Sequence, residues 1–275
     1  MKRIMVIACC LFTYAAHAQV FALKKTYTGY HYAFSRFNED GINSFVVQFN
    51  DMYKNNLSEY FHQYTGGERG QNFTTSGFRF ILGKSETKWT FSTDYAFGFG
   101  KEKNEAVFNN GVKQHLVLKF WNNQVNFSFG IAKKDNKFWL EGLYSTNLAK
   151  IILEYSTEHL NGVNSFGTEY RLNGIYTATI KTMEFGAQVS YKYKKYVFYS
   201  RFLVPAIVLG PDKDQRTFTD ERSGYAEPGN FPSDYNSYVN NPQSYAANNG
   251  ALSSTGFKGI SFGAGMFYLI GKNKE

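Results

Sequence analysis

The stretch KWTFSTDYAFGFG, residues 88 to 100, decides how this chain is read. In an extended strand successive side chains point to opposite faces. Trp89, Phe91, Thr93, Tyr95, Phe97 and Phe99 therefore share one face, and Thr90, Ser92, Asp94, Ala96 and Gly98 share the other. The first face is suited to hydrocarbon and the second to water or to a polar interior.

The same alternation recurs outward from this stretch. Phe78, Phe80 and Leu82 alternate with Gly77, Arg79 and Ile81, and Leu116, Leu118 and Phe120 with His115, Val117 and Lys119. Val125, Phe127, Phe129 and Ile131 alternate with Asn126, Ser128, Gly130 and Ala132. Phe185, Ala187, Val189 and Tyr191 alternate with Glu184, Gly186, Gln188, Ser190 and Lys192, and Ile260, Phe262, Ala264, Met266 and Tyr268 with Ser261, Gly263, Gly265 and Phe267. A soluble barrel also alternates, with its apolar set inward. Aromatic residues make up 19% of the chain, more than one soluble core hides easily, whereas a membrane barrel spends them on its lipid face and interfacial girdles. The apolar sets, including Leu116, Leu118 and Phe120, are accordingly assigned outward. The mean hydropathy of −0.40 fits, because alternation hides hydrophobicity from an average.

Ten strand candidates follow, near 25–36, 73–84, 88–100, 112–122, 124–133, 137–147, 149–157, 176–193, 195–208 and 257–271. The expected fold is all-β: an antiparallel transmembrane β-barrel of about 10 strands (8–12) with one amphipathic helix between the first two. Gly83 to Thr87, Asn122-Asn123 and Tyr193 to Lys195 read as tight turns. Lys101 to Gly111 reads as a longer connector and Lys133 to Lys137 as a short outer loop. An even strand count puts both termini on one side, the periplasm if the tight turns lie there.

Before the strands, Lys2 and Arg3, the apolar run Ile4 to Phe12 and Ala16-His17-Ala18 read as a cleavable signal peptide, residues 1–18, leaving 19–275 as one barrel domain. Val6 to Cys9 also satisfies a lipoprotein-type box, with an unusually short apolar core. Both cysteines, Cys9 and Cys10, fall in the leader, so the exported chain is expected to have neither thiol nor disulfide. No later stretch reaches the roughly 18 apolar residues of a spanning helix. The formal charge of +8 is scattered, without the basic stripe of a nucleic-acid binder.

Ile42, Phe45, Val46, Phe49, Met52, Tyr53, Leu57 and Tyr60 recur at three- and four-residue intervals, so 43–62 is read as an amphipathic helix capped by Asn43 or Ser44. It is either a plug folded over or into the lumen or a surface helix covering the rim; the second asks for nothing beyond amphipathicity and is the reading adopted. Residues 210–256 form a long polar loop. Its acids Asp212, Asp214, Asp220, Glu221, Glu227 and Asp234 match no calcium-loop spacing and read as solvated.

The inward faces carry Arg79, Asp94, His115, Lys119, Glu141, Glu154, Glu184, Lys192 and Arg201, expected to form a lumen network of ion pairs that fills a small barrel; a solute-selecting pore is the alternative. His31 and Ser35 lie on one strand face about 13 Å apart at 3.3 Å per residue, too far to act together. His62 and His159 have no partners legible in sequence. No nucleophile elbow, His-Glu-x-x-His helix or phosphate loop is present. Neither catalytic residues nor a metal or cofactor are expected.

The signal ending Ala16-His17-Ala18-Gln19, the aromatic hairpins and the closing strand Ile260 to Ile270 together resemble small porin-like outer-membrane β-barrel proteins of the Bacteroidota type. The resemblance covers nearly all of 19–275 and rests on architecture. It implies insertion by the barrel-assembly machinery, contact with outer-membrane lipid and lipopolysaccharide, and passive transport or envelope structure; it carries no active site across. Such proteins often end on an aromatic residue, whereas here Gly271 to Glu275 follow Ile270, so recognition would use Phe267 or Tyr268. The expectation is a non-enzymatic structural or narrow-pore outer-membrane protein. Alternatives are a transport or accessory component handling small solutes or envelope proteins, and a lipid hydrolase using His115 or His31.

Overall fold

A computed structural model describes residues 23–64, 67–82, 87–133, 137–158, 172–210, 215–219, 231–240, 250–253 and 256–270; the expected leader lies outside them. The elements are β1 (Leu23–Asn38), α1 (Asp40–Met52), β2 (Leu57–Glu59), β3 (Gly67–Leu82), β4 (Lys88–Phe108), β5 (Lys113–Ala132), β6 (Phe138–Thr157), β7 (Gly174–Tyr193), β8 (Tyr196–Leu209), β9 (Gln215–Thr219), α2 (Tyr235–Asn240) and β10 (Gly256–Ile270), with a 3₁₀ turn at Ala251–Ser253.

Eight strands close on themselves through antiparallel pairing in the order β1, β3, β4, β5, β6, β7, β8, β10 and back to β1. β2 rides on the edge of β4 and β9 on β7. The ring is thus a barrel at the lower edge of the expected range, because two pairs of candidates merge: 112–122 with 124–133 into β5, and 137–147 with 149–157 into β6. Asn122-Asn123 is no turn. Asn122 stays on the inward face, its Nδ2 donating to Gln71 Oε1 at 3.1 Å, and Asn123 stays outward, accepting from the Tyr95 hydroxyl at 2.5 Å. Lys101 to Phe108 likewise continues β4, and the connector there shrinks to residues 109–112.

Merging reverses one connector. β5 now ends and β6 begins at the end of the barrel where β3 passes to β4 and β7 turns to β8 through 194–195, and where Thr26 of β1 pairs with Ile270 of β10. At the other end lie α1, β2 and residues 109–112, and there β6 and β8 end and β7 begins.

The largest departure is in the faces. Alternation runs unbroken along each of β4 to β7, 20 or 21 residues long, but the apolar set changes sides halfway. On β5 Val125, Phe127, Phe129 and Ile131 are outward as expected, whereas Leu116, Leu118 and Phe120 are buried inside, and His115, Val117 and Lys119 face out. The outward set on β4 switches from Phe97 and Phe99 to Lys101, Lys103 and Glu105. On β6 it switches from Leu148 to Lys150 and Glu154, and on β7 from Met183 to Lys181.

The cause is α1, which packs inside the barrel instead of covering its rim. Ile42, Phe45, Val46 and Phe49 are fully buried against Leu116, Leu118, Ile151, Leu153 and Ile180. Phe45 also meets Phe231 at 4.5 Å and Tyr235 at 5.2 Å between ring centroids, so α2 and the segment before it complete the plug. α1 stops at Met52, short of the expected residue 62, because turns through Lys54-Asn55-Asn56 break the period and Leu57 then enters β2. Asn43 does not cap it. Its amide donates to the Tyr64 carbonyl at 2.8 Å and its Oδ1 accepts from Tyr64 N–H at 2.7 Å, and Asn50 does the same to Phe61.

Candidate functional site: the barrel interior

Three layers fill the lumen along its axis. Nearest the tight turns Tyr27, Trp139, Val197, Tyr199, Phe267 and Leu269 form an apolar base, with Tyr199 stacked on Phe267 at 4.1 Å. The plug fills the far end. Between them lies the polar layer, brought together by odd residues of β3, β6 and β8 and even residues of β4, β5 and β7.

Its centre is Arg79, whose Nη1 and Nη2 donate to Glu141 Oε1 and Oε2 at 2.8 and 2.9 Å. Both side chains are all but sealed, at 1% and 0% exposure. Such a fork recognises a carboxylate through two parallel bonds. Because β3 and β6 are not neighbours in the ring, this pair spans the lumen. Glu141 also accepts from Thr90 Oγ1 at 2.9 Å and Gln188 Nε2 at 3.2 Å. The Arg79 guanidinium lies 4.0 Å from the Trp139 ring centroid, joining polar layer to base.

From Gln188 the network continues around the wall. Its Oε1 accepts from Arg201 Nε and Nη2 at 3.2 and 3.0 Å, and Arg201 Nη2 stands 3.6 Å from Asp94 Oδ2. Asp94 accepts from the Tyr27 hydroxyl at 3.1 Å and Asn126 Nδ2 at 2.7 Å. Opposite charges thus alternate along Glu141, Arg201 and Asp94, so that each buried ion is met by donors or acceptors of the right kind.

Of the nine residues expected in the lumen, Arg79, Asp94, Glu141 and Arg201 form this network. Glu184 is buried on the inward face of β7, and Lys192 points inward at the base end, partly exposed. His115, Lys119 and Glu154 are not lumenal. They lie on the outer wall, above the switch in apolar facing, where Lys119 pairs with Glu154 and His115 Nδ1 lies 3.1 Å from Glu105 Oε2. Glu105 also holds Lys113 at 3.1 Å, which raises the lysine pKa. Sequence reading missed Tyr27, Thr90 and Gln188 as network members; strand parity places the last two inward but is silent on who reaches whom across a lumen.

His31 is inward, stacked on Phe73 at 4.6 Å and bonded through Nδ1 to Thr75 Oγ1 at 3.0 Å. His62 is exposed, and its backbone N–H donates to Asn104 Oδ1 at 3.0 Å. His159 and the loop acids other than Asp234 fall outside the described residues. Among the described residues no cluster of three His, Cys, Asp or Glu side chains is arranged to hold a metal ion. Comparison with protein-family models, with curated proteins and with solved structures finds no match to this chain.

Proposed function

We propose that this chain is an integral outer-membrane barrel, non-enzymatic and closed, of the small Bacteroidota type it resembles, serving the envelope as structure and not as an open pore. The carrying observation is the outward face. On β4, β5, β6 and β7 the apolar outward windows are 89–99, 121–131, 138–148 and 183–193, each matching the roughly 9–11 residues a tilted strand needs to cross hydrocarbon. Each window ends on a lysine, Lys101, Lys119, Lys150 or Lys181. Trp89, Phe99, Trp121, Phe138 and Tyr193 stand exposed at the window edges, where aromatic girdles sit. In this reading the tight-turn end faces the periplasm and the plug faces out, the barrel-assembly machinery inserts the chain, and lipid and lipopolysaccharide surround it.

Closure rests on the layered interior. The plug, the Arg79–Glu141 crossing and the aromatic base are three seals in series. Purified protein in a planar bilayer is expected to give no unitary conductance, and unboiled protein is expected to migrate differently from boiled protein on a detergent gel. Ohmic steps at modest voltage would favour the narrow-pore alternative, and identical mobility with and without boiling would argue against a closed membrane barrel.

A further inference from the structure

β8 and β10 are paired from Tyr196↔Tyr268 to Leu203↔Ser261. Beyond Leu203, β8 continues to Leu209 on β7 alone, while β10 continues through Phe257 and Gly256 on β1 alone. Among the described residues the wall therefore parts along Val204–Leu209. β4 also outruns β3 on the far side of the barrel, but there β2 and the Asn104–His62 bonds cover its edge. Nothing comparable among the described residues covers β8.

Both lips carry devices that prevent pairing. Pro205 has no N–H to offer, and β8 has one extra residue between Pro205 and Ile207 relative to Glu184 and Met183. On β10 the register jumps from Ser35↔Ser261 to Phe37↔Phe257, leaving Lys258 to Ile260 bulged, with Gly259 at φ 125°. Bulges of this kind end pairing and bend strands away. An open edge within hydrocarbon is tolerated only where it lines a cavity or meets a partner.

Depth and lining select the occupant. Val204 pairs with Phe185 inside the apolar window, and Leu209 pairs with Lys181 at its rim, so the gap spans the outermost part of the belt. Val204, Ile207, Leu209 and Ile260 are all exposed along it. Val208 shares its register with inward-facing Thr182; Thr182 is 5% exposed, yet Val208 is 39% exposed. Behind the gap Gly256 lies so close to Ile180 that a Cβ would meet its Cδ1 at 1.9 Å, which marks the apolar plug chamber as the floor.

We infer that this parting of β8 and β10 is a lateral slot that takes one acyl chain of an outer-leaflet lipid, the headgroup lying at the level of Lys181. The inference rests on the membrane reading above. A peptide strand is a poorer occupant, since Pro205 and the Lys258–Ile260 bulge interrupt the hydrogen-bonding pattern it would need.

The test uses the unmodified protein in vesicles of phosphatidylglycerol and phosphatidylcholine, with a trace of phospholipid bearing a diazirine on its acyl chain. After irradiation, adducts are mapped by tandem mass spectrometry. Carbene insertion needs atomic contact, so Val208 should be labelled at least about tenfold more than Asn147, which is lumenal at the same height behind intact wall, where it pairs with Thr182. Phe127 on the lipid face calibrates the yield. Labelling of Phe127 with Val208 as blank as Asn147 overturns the slot while leaving the membrane reading intact. A blank Phe127 overturns both.

Discussion

Arg79 and Glu141 show most sharply what one residue can decide. Removing one member of a buried ion pair strands the other charge, at a cost of about 3–5 kcal/mol, whereas replacing both by apolar groups of similar size is often nearly neutral. Arg79→Met and Glu141→Leu should each lower the urea midpoint of the refolded protein substantially, and the double variant combining them should recover most of the loss. A double variant whose cost equals the sum of the two singles would show that the side chains act independently. In the plug segment, Asp234 accepts from Ser237 N–H at 3.0 Å and Ser237 Oγ at 2.7 Å, and these bonds hold its carboxyl below the usual range. A folded pKa below the unfolded one means stability that is present at neutral pH and disappears as pH falls through the folded value. Asp234→Ala should therefore cost about 0.5–1 kcal/mol near neutrality, and the wild-type and variant unfolding curves should converge in acid.

At the scale of the element, the strands were legible and their lengths were not. Parity in the apolar windows is sequence information, because every window turns its apolar set to the same outer face; hence Trp89 to Phe99 and Phe127 to Ile131 read correctly. Further along β5 and β6 the apolar side chains change face, producing neighbours such as Phe120-Trp121 and Leu148-Ala149 that look like the end of one strand and the start of another. What reverses them is α1, a partner distant in sequence, and no local pattern reports that a helix will lie inside the cylinder. For the same reason local alternation assigns Leu116 and Leu118 outward and His115 and Lys119 to the lumen, the reverse of their places in the fold. Since Phe45 touches Tyr155, Phe231 and Tyr235, Phe45→Ala should cost about 3–5 kcal/mol, read as a fall in thermal midpoint. Replacing α1 by a Gly/Ser segment of equal length should still leave the protein silent in a bilayer, because the Arg79–Glu141 crossing and the aromatic base remain. Conductance in that variant would mean that the plug is the sole seal.

For the molecule as a whole, the inversion makes a measurable boundary. β5 is a single strand whose outward residues run from Val117, above the belt, through Trp121 at its edge and Phe127 within it, to Ile131 at the far edge. If lipid surrounds the barrel, a lysine on that outward face costs about 2–4 kcal/mol near the bilayer midplane and about 0–1 near the interfaces. A series Val117→Lys, Trp121→Lys, Val125→Lys, Phe127→Lys and Ile131→Lys, unfolded reversibly in vesicles, should trace a peak at 125 and 127 and fall away on both sides. The inward partner series behaves oppositely: Leu118→Lys buries a charge against Ile151 and Leu153 in the plug layer and should be worse than Val117→Lys one residue away. In a water-soluble barrel the outward lysines would be nearly neutral at every position, so a flat profile along Trp121 to Ile131 would remove the membrane from the account. Only the peak follows from hydrocarbon outside and a packed helix within.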